Sequence, residues 1–129
     1  MSSLLIIDDD APSSAALASL LRREGHEAAC VHTAGAAITH LRHQEPDLVL
    51  LDLSMPGVDG LDLLDALTDD PQFARVRVAV YSGRDEPDSR AMAQRLGARD
   101  YILKGQAWPD TYQRIQSCLC DRAAGAPMA

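Results

Sequence analysis

The chain has 129 residues, 47% of them apolar and 24% charged, with a formal net charge of −7. That length supports one domain with a core that needs no covalent staples, and the composition is that of an ordinary soluble globular protein. It excludes a membrane span, because no apolar run approaches the ~18 residues required, and the acidic balance argues against direct nucleic-acid binding, which needs a cationic footprint.

The start, "MSSLLIIDDD", lacks the basic segment and long apolar core of a secretory signal. Three cysteines, Cys30, Cys118 and Cys120, are an odd number without metal-site spacing, so a reduced, cytoplasmic chain is expected. The elements alternate in chain order. "LLII" (4–7) reads as a strand. Residues 12–24 read as a helix with Pro12 in the first turn and Ala16, Leu17, Leu20 and Leu21 on one face, stopped by Gly25. "HEAACV" (26–31) is a weaker strand. Thr33 caps a helix to about Gln44, with Ile38 and Leu41 facing in. "DLVLL" (47–51) is a strong strand, followed by the loop "SMPGVDG" and a helix from about Leu61 to Asp69. "RVAVY" (77–81) is the fourth strand. Pro87 opens a helix ending near Gly97, "YIL" (101–103) is the fifth strand, and a last helix runs from about Trp108 to Asp121. The end, "AAGAPMA", is a small-residue tail or the start of a linker.

Near-continuous apolar strands alternating with helices predict a parallel sheet covered on both faces. Right-handed crossovers then favour a flavodoxin-like, doubly wound (βα)5 sandwich with strand order 2-1-3-4-5. In such sheets ligands bind at the carboxyl ends of the strands. Asp8, Asp9 and Asp10 follow the first strand, Asp52 and then Ser54 the third, Ser82 and Gly83 the fourth, Lys104 and Gly105 the fifth. With the first and third strands adjacent, Asp8 and Asp9 approach Asp52.

Two carboxylates about 4 Å apart repel by roughly 4 kcal/mol at an effective dielectric near 20. A cation removes that repulsion, and a few hard oxygen donors backed by water suit Mg²⁺ or Mn²⁺ better than zinc. A carboxylate beside the metal can act as a nucleophile toward phosphorus, with metal and lysine neutralising the transferring group. Asp10 reads as a cap or turn residue. His40 and His43 are three apart with no further ligand near, and His26 and His32 read as surface or strand-edge residues. Trp108 and Pro109 start and anchor the last helix, on which Cys118 and Cys120 cannot both face the core.

"IIDDDAPSS", "DLVLLDLSMPGVDG", "VYSG" and "GARDYILK" together resemble the receiver domain of two-component response regulators, the CheY-like family, over about residues 3 to 121. The resemblance implies one receiver domain over 1–121 and a flexible tail or linker over 122–129. It implies that Asp52 accepts the phosphoryl group and that Asp9 binds Mg²⁺ directly with Asp8 assisting. Asp52 and the backbone carbonyl of Ser54 complete the implied metal site. Ser82 matches the hydroxyl that turns to the phosphate, Lys104 the lysine that pairs with it, and Tyr101 the aromatic residue whose rotamer reports the switch. Ser54 and Arg84 lie where the family tunes phosphate lifetime.

Many receivers carry a proline, held cis, after the lysine; this chain has Gly105, so the loop 104–108 lacks that lock. The implied function is a phosphorylation switch in a two-component relay that slowly dephosphorylates itself and is an enzyme only nominally. The phosphoryl group comes from a sensor histidine kinase or phosphotransfer protein. An unidentified downstream protein reads the fourth-helix, fifth-strand and fifth-helix surface, with Arg90, Gln94, Arg95, Tyr101 and Gln113. No output domain accompanies the sequence, so a stand-alone or excised receiver is expected, monomeric or dimerising on phosphorylation. The alternatives are a pseudo-receiver that docks without phosphotransfer, and a haloacid-dehalogenase-type phosphatase from the D-x-D of Asp8 and Asp10. Pro12 stands where the latter family has threonine or valine.

Overall fold

A strand that is leucine, isoleucine or valine throughout has no face to give to water, so it lies between two layers of helix. The computed structural model describes the backbone of residues 2–55 and 57–128, with side chains except those of 58 and 121–128. In it, β3 (Leu48–Leu51) is such a strand with all four residues buried, and so is β1 (Ser3–Ile7) from Leu4 onward. β2 (Glu27–Val31), β4 (Val78–Ser82) and β5 (Tyr101–Leu103) complete the sheet. All pairings are parallel and the order is β2-β1-β3-β4-β5, as the sequence predicts.

Side chains alternate across the sheet. Leu4, Ile6, Leu48, Leu50, Ala79 and Ile102 face α1 (Ala11–Arg23) and α5 (Trp108–Met128). Leu5, Ile7, Val49, Leu51, Val78 and Val80 face the other layer, α2 (Ala34–His43), α3 (Gly60–Asp69) and α4 (Pro87–Arg95). Thr33 caps α2 as expected, its side chain accepting from the Ala36 N–H at 3.1 Å. Cys118 is buried and Cys120 exposed. Among the described residues no helix is long and apolar enough to cross a membrane. The last helix, expected to end near Asp121, runs on to Met128, so the backbone expected as a tail continues α5; the side chains of 121–128 are not described.

Three local expectations change. The buried face of α1 is Ser14, Leu17, Ala18 and Leu21, while Ala16 is exposed. The spacing i, i+3, i+4, i+7 is one helical stripe, and a small serine fits beneath it where a leucine-weighted reading does not look. The fourth strand runs over Val78–Ser82, one residue later than expected at each end, and the buried Arg77 before it donates to the carbonyls of Cys118 at 2.8 Å and Asp47 at 2.6 Å. It thereby fastens α5 to the start of β3. The "SMPGVDG" loop holds a short antiparallel hairpin, with Ser54 opposite Asp59 and Met55 opposite Val58.

That hairpin returns the chain so tightly that Gly60 lies on the backbone it has just left. Its N–H donates to the Leu53 carbonyl at 3.1 Å, and a Cβ there would stand 2.4 Å from the Leu53 Cα. The obstruction is backbone, so the turn beside Asp52 has to move. Gly60→Ala is expected to cost about 1–3 kcal/mol of stability, measured as a lower urea midpoint; an unchanged midpoint contradicts the close approach.

Candidate functional site

Parallel register places the polar strand ends together. Ile7 is opposite Leu51, and the Asp52 N–H donates to the Ile7 carbonyl at 2.9 Å, so Asp8 and Asp52 leave the sheet side by side. Both are nearly buried, at 2% and 6% exposure, while Asp9 faces solvent. One oxygen from each of the three carboxylates lies within 4.8 Å of the others. From β5 the Lys104 Nζ reaches across to Asp8 Oδ2 at 2.7 Å and Asp52 Oδ2 at 3.3 Å. Its backbone N–H donates to the Ser82 carbonyl at 2.9 Å.

The electrostatics follow from burial. Desolvation raises the Asp8 pKa above the ordinary carboxylate value; hydrogen bonds from Lys104 and the Asp10 N–H pull it back, and the Asp52 charge adds repulsion. Desolvation opposes the charge on Lys104, but the Asp8 hydrogen bond and the two carboxylate charges prevail and its pKa is raised. Lys104 thus pairs with Asp8 and Asp52, and Asp9 adds a third, exposed carboxylate to the same place.

The other expected residues stand around this centre. The Ser54 N–H donates to Asp52 Oδ1 at 3.1 Å. Ser82 is fully buried, its Oγ accepting the Arg84 N–H at 3.2 Å. Arg84 reaches back over the β3 end, with Nη2 3.4 Å from the Leu53 carbonyl and Nε 3.5 Å from Glu86. Tyr101 is not in the cluster. Its ring is buried, its hydroxyl donates to the Arg84 carbonyl at 2.7 Å, and the Arg90 guanidinium lies 5.0 Å above it. Burial raises the Tyr101 pKa. Asp10 occupies the N-cap position of α1 but makes no side-chain cap bond, and its N–H donates to Asp8 Oδ1 at 2.9 Å.

Three residues given no role by the sequence belong here. Gly60 shapes the Asp52 turn. His32 Nδ1 lies 2.9 Å from the Asp8 carbonyl, which can only accept, so that nitrogen carries the proton. Tyr81 holds its ring 5.8 Å from the Lys104 Nζ. Strand alternation alone puts Tyr81 and Lys104 on one face and was the signal available.

The β5–α5 connection is trans throughout and turns at Gly105, with φ at 91°. That left-handed conformation suits glycine, and proline, fixed near −65°, cannot adopt it.

The donor set fits a hard divalent cation. It offers carboxylate oxygens close enough to share one ion, without the thiolate or imidazole ligands that softer metals favour. The three carboxylates thus form a candidate divalent-cation site.

The family model described as "Response regulator receiver domain" matches residues 4–116. The chain belongs to the response regulator receiver family. It is thereby a signalling module of two-component systems. Protein PilH of Pseudomonas aeruginosa is 31% identical over 104 residues, covering 81% of this chain and 86% of its own. Sensory transduction protein RegX3 of Mycobacterium tuberculosis is 34% identical over 119 residues, covering 92% of this chain but 51% of its own. The receiver thus spans most of PilH and about half of RegX3. Among solved structures, the BeF3-activated N-terminal receiver domain of Klebsiella pneumoniae RstA superposes with a TM-score of 0.83 at 25% identity, over 91% of this chain and 97% of that one.

The raised Asp8 pKa has a sign that can be tested. A folded-state pKa above the unfolded value of 3.8 means the fold binds that proton more tightly than the open chain does. The stabilisation is complete below pH 3.8 and lost as pH rises through the folded pKa. Asp8→Asn cannot ionise, so without metal it is expected to melt above wild type at neutral pH, with the difference closing toward pH 4. Equal melting temperatures at neutral pH contradict the assignment.

Proposed function

We propose that this receiver accepts a phosphoryl group on Asp52, changes its α4–β5–α5 surface in response, and loses the group by hydrolysis. The observation that carries the reading is the Lys104 ammonium bridging Asp8 and Asp52 beside the exposed carboxylate of Asp9. A carboxylate pair alone repels a phosphoryl donor; a lysine already seated between its members supplies the countercharge in advance.

In this reading an Asp52 oxygen attacks the phosphorus of a phosphohistidine on a sensor kinase or phosphotransfer protein. The bond from phosphorus to the donor breaks with its electron pair leaving on the donor, and an acyl phosphate forms. Asp8, Asp9, Asp52 and the backbone carbonyl of Ser54 would hold Mg²⁺ or Mn²⁺. A bound ion supplies neutralisation of the transferring group. Lys104 pairs with a phosphate oxygen. Ser82, whose Oγ accepts from the Arg84 N–H, has its own O–H to donate to another. Water then cleaves the acyl phosphate.

Moving Ser82 toward the phosphate displaces the Arg84 backbone, and with it the carbonyl that holds the Tyr101 hydroxyl. That is a physical route from Asp52 to the surface bearing Arg90, Gln94, Arg95, Tyr101 and Gln113, where a downstream protein would dock. Inverting a conformer ratio from 1:99 to 99:1 takes roughly 5.5 kcal/mol. Charge-assisted bonds from one phosphate to Ser82, Lys104 and a metal are of the right size, at about 1.5–3 kcal/mol each. Ser54 and Arg84 flank the acceptor and would set how readily water reaches it. A receiver of this kind works in the cytoplasm, where the kinase domains and reduced cysteines are found.

Intact mass after incubation with acetyl phosphate tests the reading. One added phosphoryl group is expected, labile to base, dependent on Mg²⁺ and absent from Asp52→Asn. Failure of both phosphorylation and beryllofluoride binding would leave a docking module that does no phosphotransfer.

A further inference from the structure

Lys104 is the sole lysine of the sequence; the other eleven cationic residues of the twelve are arginines. Its ammonium sits on a flexible four-carbon stem, and the residues that follow do little to restrain it. Gly105 turns with φ at 91°, and Gln106 and Ala107 are exposed. Yet Nζ stands within hydrogen-bonding distance of two different carboxylates. The carboxylates hold the head from one side, and what packs beside it on the β4 side completes its seat.

The sheet register supplies a candidate. Tyr81 pairs with Ile102, so Lys104, two residues beyond, is its diagonal neighbour on the α1 and α5 face. Diagonal positions are within reach of aromatic and long side chains. The Tyr81 ring packs against the core on that face, and its π surface lies 5.8 Å from Nζ, within the range at which a ring quadrupole attracts an ammonium. The carboxylates thus hold the ammonium from the side of β1 and β3, and the ring backs it from β4.

We propose that Tyr81 is a positioning residue for Lys104, its ring holding the ammonium between Asp8 and Asp52 in readiness for the phosphoryl group. The ring touches neither donor nor acceptor and works through the lysine. The hydroxyl has no part, so phenylalanine serves equally and an aliphatic side chain of similar bulk does not. The proposal rests on the phosphoryl-acceptor reading above for its consequence, though not for its geometry.

Because the sequence has one lysine, protein labelled with ¹³C at lysine Cε gives a single side-chain signal. In metal-free wild type its ε protons are expected upfield of those of free lysine, shifted by the ring current of Tyr81. Tyr81→Phe keeps the shift and the rate of phosphorylation by acetyl phosphate with Mg²⁺. Tyr81→Leu loses the shift, and its rate falls about two- to five-fold, the size of one cation–π contact. An unshifted wild-type signal overturns the proposal without any variant, which keeps the test decisive if Tyr81→Leu does not fold. A Tyr81→Leu rate equal to wild type also overturns it, as does a Tyr81→Phe loss as large as that of Tyr81→Leu. Should wild type take no phosphoryl group at all, the functional reading fails. The lysine signal still decides whether the ring holds Lys104.

Discussion

The ammonium of Lys104, 2.7 Å from Asp8 and 3.3 Å from Asp52, is what lets two carboxylates stand side by side at the edge of the sheet. Two nearly buried carboxylates side by side would otherwise repel by a few kcal/mol, a large part of the ~5–15 kcal/mol by which a domain is stable. The lysine makes the pair tolerable without neutralising it, because Asp9 brings a third charge to the same place. The residual negative potential is the reason to expect a divalent cation. The lysine and that cation together are the reason a phosphate dianion could be received where carboxylates alone would turn it away.

The scaffold around this contact is built to keep it fixed. β1 and β3, the two strands whose ends carry the acids, are buried almost throughout and lie next to each other in the sheet. Each fully buried leucine or isoleucine in them contributes about 1.5–3 kcal/mol, so the carboxylates stand on the part of the fold least able to yield. Gly60 presses the returning chain against the Asp52 turn, and Arg77 fastens α5 to the start of β3. Around them stand Ser82, the last residue of β4, Arg84 in the connection beyond it, and the glycine turn after β5.

Much of this was legible in the sequence, because strand order follows from apolar runs and handed crossovers, and the strand order alone brings Asp8, Asp9, Asp52, Ser82 and Lys104 to one edge. What escaped had other causes. The α1 face differs from its pattern because Ser14, a small polar residue, is buried where the pattern weighs leucines. Gly60 looks like any loop glycine until the hairpin before it is known, since its constraint comes from backbone in space and not from its neighbours in sequence. The fastening by Arg77 leaves no local mark in the sequence, because its guanidinium is satisfied by carbonyls distant along the chain. Tyr81 is the instructive omission: its alternation with Ile102 and Lys104 was computable, but nothing in the motif itself points to a ring.

Calorimetric titration of beryllofluoride into the protein with Mg²⁺ present probes Asp52 as a phosphoryl acceptor, because that ion mimics a phosphoryl group without needing a donor or a lifetime. Binding of one equivalent is predicted, requiring Mg²⁺ and lost in Asp52→Asn. Absence of binding, or binding indifferent to both the metal and Asp52, would contradict the reading of this acidic edge as a phosphoryl acceptor.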